Sequence, residues 1–273
     1  MTAGAFECTV EIGGVPISLR ARDPEFLESA LKRYDGFLSD NLAEAEIELE
    51  LVNDASASDE DVLVRRDGMD WGVQRGDFRA RWDPRNGRGK VRQNTNPYSL
   101  DSVLRIVHSL ILAGRGGFLL HAASAICEGN AYIFSGVSGA GKTTMTRLAP
   151  EGAILLTDEI SYIRPNGHGY SAFGTPFAGE LARVGENCSA PVGCLFFLKK
   201  GPENTVEELP LADALQRLMR NILFFAQDRE LVEKIFATAC DFVSRVPVRA
   251  LTFYPDARVW DQVRNFGREM TNA

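Results

Sequence analysis

From Ala45 to Val52 apolar residues alternate with acids, placing Ile47, Leu49 and Leu51 on one side and Glu46, Glu48 and Glu50 on the other. A period of two predicts a half-buried strand with an acidic outer face. Upstream, Phe6–Ile12 and Pro16–Arg20 are short β-like runs joined at Gly13-Gly14, which predicts a hairpin. Between hairpin and strand, Phe26, Leu27, Leu31 and Tyr34 share one side of a helix expected over Pro24–Phe37. Asn53–Asp61 reads as a polar loop. Strands return from Val62 to Arg92, with an Asn86-Gly87 turn between the last two. In Phe78–Trp82 the apolar Phe78, Ala80 and Trp82 face away from Arg79 and Arg81. With Arg65, Arg66, Arg75, Arg85, Arg88, Lys90 and Arg92, this stretch is locally basic. It reads as a docking face for an acidic peptide or another anion, or as a solvated face balancing the acidic strand. Charge runs are usually surface, which favours the second.

Leu100, Val103, Leu104, Val107, Leu110 and Ile111 recur at three and four residues, predicting an amphipathic helix over Pro97–Ala113. Gly114, Gly116 and Gly117 stop it. Strands are expected next at Phe118–His121, Ala122–Cys127 and Ala131–Ser135, then a short helix at Thr143–Leu148 and an apolar strand at Ala153–Thr157. This change of pattern sets an expected boundary near residue 95, between a small α+β domain (1–95) and a nucleotide-binding domain (96–273). Towards the C-terminus the pattern gives a strand at Cys194–Leu198 and helices at Leu211–Phe225 and Arg229–Val246. A strand at Val248–Phe253 and a last helix carrying Val259, Trp260 and Val263 complete it. His168 falls in the turn Asn166-Gly167-His168-Gly169 and is not expected to act chemically.

Composition narrows the class. The formal net charge of -7 argues against a nucleic-acid partner. The five cysteines are scattered without a C-x-x-C pair, so neither a zinc site nor a disulfide framework is expected. The longest apolar stretch, Val103–Leu120, is broken by Arg105, His108 and Arg115 and is too polar to cross a bilayer. With no signal-like N-terminus, the expected setting is cytoplasmic, without a membrane partner.

The strongest chemical signal is Gly136-Val137-Ser138-Gly139-Ala140-Gly141-Lys142-Thr143, which fits G-x-x-x-x-G-K-[ST] at every fixed position. The apolar run Tyr132-Ile133-Phe134 leads in and a helix-compatible run leads out, as phosphate cradling requires. Glycines let successive backbone N–H groups turn inward around phosphate oxygens, and the following helix adds unsatisfied N–H groups. The expected ligand is ATP with Mg²⁺. Gly136, Ser138, Gly139, Ala140, Gly141, Lys142, Thr143 and Thr144 form the cofactor-binding set. Lys142 reaches the β- and γ-phosphates and Thr143 the metal.

Ala153–Thr157 ends in Asp158-Glu159. An acid at the carboxyl end of a strand beside a phosphate loop holds Mg²⁺, directly or through water, or takes a proton from an attacking hydroxyl. Asp158 and Glu159 are the candidates.

His121 on a strand, then GVSGAGKT, then ILLTDE after one short helix, resembles the catalytic domain of the HPr serine kinase/phosphorylase family. That domain shares its nucleotide-binding architecture with phosphoenolpyruvate carboxykinase. The motifs cover about Phe118 to Arg183, with a looser likeness beyond. The closest likeness is to stand-alone HPr-kinase-like proteins of peptide-modification clusters, including the lasso-peptide kinases. The resemblance implies an α/β fold, with a P-loop-containing HPr-kinase/carboxykinase-like core behind a small α+β N-terminal domain. It gives Asp158 the role of base near the metal and sets His121 beside the transferred phosphate. Glu180 and Arg183 fall near the positions of the family's glutamate beside the metal and following arginine. They read equally as a surface ion pair. Glu159 stands where the family commonly has Asp, and the family's later glycine-rich signature is not recognisable. The expected activity is transfer of the γ-phosphate from ATP to a hydroxyl, on serine of a peptide or protein, with Asp158, His121 and Lys142 catalytic. Thr143, Asp158, Glu159 and Glu180 are the candidate metal ligands. The rival readings are a non-catalytic nucleotide-binding accessory or sensor protein, and small-molecule phosphotransfer of the carboxykinase type.

Overall fold

The computed structural model describes residues 6–52, 61–179, 183–226 and 228–271. Most of the polar loop expected at Asn53–Asp61 lies outside them. Among the described residues the chain forms fifteen strands and six helices in two mixed sheets, so the protein is mixed α/β. It divides into two compact units, Met1–Ile111 with Phe224–Val232, and Leu112–Leu223 with Glu233–Ala273.

The first unit is built on a seven-stranded sheet. Its elements are β1 (Phe6–Ile12), β2 (Val15–Ala21), α1 (Pro24–Arg33), β3 (Ala45–Leu51), β4 (Leu63–Asp67), β5 (Asp70–Arg75), β6 (Phe78–Asp83) and β7 (Arg88–Gln93). The strand order is β1-β2-β3-β7-β6-β5-β4, with β3 parallel to both its neighbours and the other pairs antiparallel. Helix α1 is capped by Asp23, whose Oδ1 accepts from Phe26 N at 3.0 Å. It ends at Arg33, earlier than the apolar pattern implies. Tyr34 and Phe37 continue that pattern because both are buried, but the chain has turned back, and Glu11 N donates to Phe37 O at 2.8 Å. The long helix α2 (Pro97–Gly114) is tied to this unit through Asp101. Asp101 accepts from Tyr34 Oη at 2.6 Å and from Arg33 Nε at 2.9 Å.

The outer face of β3 and β7 explains the charge pattern. Register sets Glu46 against Arg88, Glu48 against Lys90 and Glu50 against Arg92. Lys90 meets Glu48 at 3.2 Å and Arg92 meets Glu50 at 3.3 Å. Exposed pairs like these contribute at most about 1 kcal/mol each, and what they do is balance charge across the sheet.

The second unit holds β8 (Phe118–Cys127), β9 (Asn130–Ser135), α3 (Lys142–Arg147), β10 (Ile154–Thr157), β11 (Ile160–Asn166), β12 (Gly169–Phe173) and β13 (Ser189–Lys200). It continues with β14 (Thr205–Glu208), α4 (Leu211–Asn221), most of α5 (Arg229–Arg245), β15 (Val248–Phe253) and α6 (Val259–Thr271). The two strands expected at Phe118–His121 and Ala122–Cys127 are one unbroken β8, since no turn residue separates them. Strands β9, β13 and β15 lie side by side and parallel. β8 runs antiparallel to β9 on one edge and to β10 on the other, so β9 and β10 point the same way. Helices α3 and α6 contribute to a buried cluster with Tyr132, Phe134, Phe196, Leu251 and Phe253, filled by Met145, Trp260 and Val263. Phe134 stacks on Phe196 at 5.9 Å and meets Trp260 edge-on at 5.3 Å. Burying a side chain such as Phe134 contributes about 1.5–3 kcal/mol. Phe242 of α5 packs edge-on against Phe118 and Tyr170. Among the described residues, no helix is long and apolar enough to cross a membrane.

Candidate functional site

Strand β9 ends at Ser135 and the chain enters the loop Gly136–Gly141 before α3 begins at Lys142. The loop is held by Ala140 N donating to Val137 O at 3.0 Å and by Met145 N donating to Gly141 O at 3.0 Å. Gly141 adopts a φ of +112°, and a Cβ there would collide with the Phe253 ring. Glycine is therefore required at 141 by backbone and by packing alike. Lys142 is buried, and its Nζ lies 3.2 Å from Gly136 O and 3.5 Å from Val137 O. The ammonium thus rests in the concavity of its own loop. Trp260 Nε1 donates to Met145 O at 2.9 Å, fixing α3 and the loop to α6.

The acid pair directly follows the carboxyl end of β10, which stops at Thr157, and β11 begins straight after it. β10 and β11 run in the same direction along β8, with Asp158-Glu159 between them. Thr157 Oγ1 accepts from Glu159 N at 3.2 Å and Ile160 N at 3.1 Å, while Ala122 N donates to Glu159 O at 3.0 Å. Asp158 is 3% exposed. Its Oδ1 accepts from Gly179 N at 2.8 Å, and a Cβ on Gly179 would approach Glu159 Cβ to 2.9 Å. Gly179 therefore lies directly over the acid.

Register brings these parts to one end of the sheet. Ala122 of β8 pairs with Ser135 of β9, Ser124 with Thr157 of β10, and His121 with Ile160 of β11. His121 is half-buried, and its carbonyl accepts from Ser135 Oγ at 2.9 Å. Burial, and then the charge of Lys142, push the imidazole pKa down, so the ring is held neutral near that lysine. Lys142, His121 and Asp158 thus occupy one neighbourhood although they come from three elements. Glu180 lies outside the described residues, and with it the ion-pair alternative. Arg183 lines a cavity of about 720 Å³ with Thr146, Arg147, Ile154 and Glu186, beside the far end of α3 and not at the loop itself. Among the described residues, no group of three or more His, Cys, Asp or Glu is placed to hold a metal.

Sequence reasoning missed Phe253 and Trp260 as supports of the loop, and Gly179 as the cover of Asp158. All three act across long stretches of chain, and each looks locally like an ordinary strand, helix or turn residue.

The fold and site together define a mixed α/β protein with a glycine-rich loop, Gly136–Gly141, between the carboxyl end of β9 and helix α3. A family model described as SynChlorMet cassette protein ScmC matches residues 91–266, more than half of the chain. The chain belongs to the ScmC family of SynChlorMet cassette proteins. No curated protein matches it. This corrects the resemblance drawn from the motifs, since the matching family is not an HPr kinase family. The motifs misled because a glycine-rich string and a following acid are short, and short strings recur in more than one family.

Proposed function

We propose that this protein binds ATP with Mg²⁺ and transfers the γ-phosphate to a hydroxyl, that of a serine on a peptide or protein. The observation that carries the reading is the convergence of Gly136–Thr143, Asp158 and His121 at one end of the sheet, with the Lys142 ammonium already inside the loop. Backbone N–H groups of the loop take phosphate oxygens, and Lys142 leaves the Gly136 and Val137 carbonyls for the β- and γ-phosphates. Thr143, Asp158 and Glu159 offer the hard oxygens that Mg²⁺ prefers. Such ions bind through one or two protein oxygens plus substrate phosphates and water, so no larger carboxylate cluster is needed. When bound, Mg²⁺ supplies neutralisation of charge on the phosphates. Asp158 accepts the hydroxyl proton, and neutral His121 serves as a hydrogen-bonding partner of the transferred group. Catalysis of this kind is mostly positioning and electrostatics. Membership of a cassette-protein family supports seeking the acceptor among the other products of the cassette.

One observation favours a second reading, a nucleotide-binding accessory protein without transfer. Asp158 is buried beneath Gly179, whose N–H already occupies one carboxylate oxygen. The two readings separate when wild type and Asp158→Asn are given γ-labelled ATP and each cassette product, with nucleotide binding measured in parallel. Phosphotransfer predicts labelling by wild type, its loss on chelation of Mg²⁺, and a fall of about 10²–10⁴-fold in the variant with binding retained. Absence of labelling by a wild type that binds ATP would favour the accessory reading. An Asn variant as fast as wild type removes Asp158 from the mechanism.

A further inference from the structure

In the second sheet the strands lie in the row β10-β8-β9-β13-β15-β14. Asp158 follows β10, the loop follows β9, and β13 and β15 continue the row on the side of β9 away from β10. For a nucleotide held in the loop with its γ-phosphate toward Lys142 and Asp158, the side away from the acid is the side of β13 and β15. The chain carries Lys199 and Lys200 at the end of β13, both exposed. Tyr254, the first residue after β15, is an aromatic ring left 50% exposed. Adjacent strands lie about 4.8 Å apart, so β15 is roughly 10 Å from β9, a gap that ribose and α-phosphate bridge. Tyr254 is also joined to the loop by packing, because the preceding Phe253 ring abuts Gly141. Its backbone is held before and after the residue: Tyr254 N donates to Asn204 Oδ1 at 2.8 Å, and Asp256 N donates to Tyr254 O at 2.8 Å. A held backbone presenting a large exposed ring at this place gives a flat base a surface to stack on.

We propose that Tyr254 is the base-stacking residue of the nucleotide site, which makes the ligand a nucleoside triphosphate and not a bare polyphosphate or phosphorylated small molecule. The proposal rests on the phosphate-loop reading above and adds the direction in which the ligand lies. Stacking on an aromatic side chain tolerates any base, so Tyr254 contributes affinity for the nucleoside more than choice among bases.

The test is calorimetric titration of Mg·ATP and Mg·tripolyphosphate into wild type, Tyr254→Ala, Tyr254→Leu and Tyr254→Phe. Wild type is expected to bind ATP more tightly than tripolyphosphate. Tyr254→Ala and Tyr254→Leu should each weaken ATP about 5- to 100-fold, the usual worth of a stacked base, while tripolyphosphate binding stays within about twofold. Tyr254→Phe should keep the wild-type affinity. Unchanged ATP affinity in the Ala and Leu variants would overturn the proposal while leaving the loop reading standing. So would equal affinity of wild type for the two ligands. Loss of both ligands in the Ala and Leu variants would also overturn it, by showing that Tyr254 acts through the loop. A wild type that binds neither ligand would bring down the loop reading and this proposal with it.

Discussion

Lys142 shows how a single residue can be read in part from sequence and in part only from structure. Its place in the motif is local and legible, because eight consecutive residues carry the pattern. That its stem is buried and its ammonium folded onto Gly136 and Val137 is not legible, since it depends on the packing around α3. The burial decides which substitution is informative. Alanine would remove charge and fill no space, whereas Lys142→Met keeps most of the stem and removes only the cation. Lys142→Met is expected to weaken Mg·ATP binding at least tenfold, which corresponds to about 1.4 kcal/mol. Its melting temperature should stay within a few degrees of wild type. Calorimetry on the folded variant giving wild-type affinity would remove the triphosphate from this loop. Gly141 makes the same point differently: the motif asks for glycine to admit phosphate, and Phe253 independently asks for it to admit a ring.

At the scale of elements, the loop stands where it does because α3 is clamped. Helix α3 has only six residues, too short to persist by itself, and its position comes from tertiary contacts. The firmest polar tie is the Trp260 indole N–H to Met145 O at 2.9 Å, inside the cluster that α6 shares with β9, β13 and β15. Trp260→Phe keeps an aromatic ring and deletes that donor, so it should cost about 1–3 kcal/mol of stability. It should also weaken Mg·ATP binding, through a looser start to α3. Chemical denaturation and calorimetry check both, and a variant destabilised with full affinity would show that α6 supports the core without steering the loop. The elements themselves were legible wherever one face is apolar, as in β3, α2 and α5. The strands β11, β12 and β14 were not anticipated: Arg164 and Pro165 break the apolar run of β11, β12 is only five residues opening on glycine, and β14 is four residues ending in two glutamates. The order in which strands lie was not legible at all. Nothing local says that β8 separates β9 from β10, yet that arrangement is what puts Asp158 at the same end as the loop.

For the whole molecule, the question is whether the proposed nucleotide binding needs the first unit. On β7, Lys90 and Arg92 of the unit's basic run meet Glu48 and Glu50 of the acidic β3, and Arg75 and Arg81 meet Asp77 and Asp70. The first unit also contains more than the first stretch of chain. Most of α2 belongs to it, as does Phe224–Val232, which returns late in the sequence. That return is paired: Ala226 bridges Val64, and Arg66 meets Glu230 at 2.9 Å and Asp228 at 3.5 Å. A chain starting at Asn96, at the expected domain boundary, lacks Val64 and Arg66. It also lacks Arg33 and Tyr34, the partners of Asp101 on α2. Leu100, Val103, Leu104 and Val107 of α2, buried in the full chain, then stand beside a carboxylate stripped of its hydrogen bonds. The expected outcome is a fragment that melts with reduced cooperativity and binds an apolar dye, with Mg·ATP affinity weaker than the full chain. A fragment that melts cooperatively and binds Mg·ATP as tightly as the full chain would show instead that nucleotide binding is autonomous. Label transfer to a cassette product by the same fragment then decides the role of the first unit. Retained binding with lost transfer would place acceptor docking within residues 1–95, where the strands Val62–Arg92 lie, and retained transfer would leave those strands with charge balance alone.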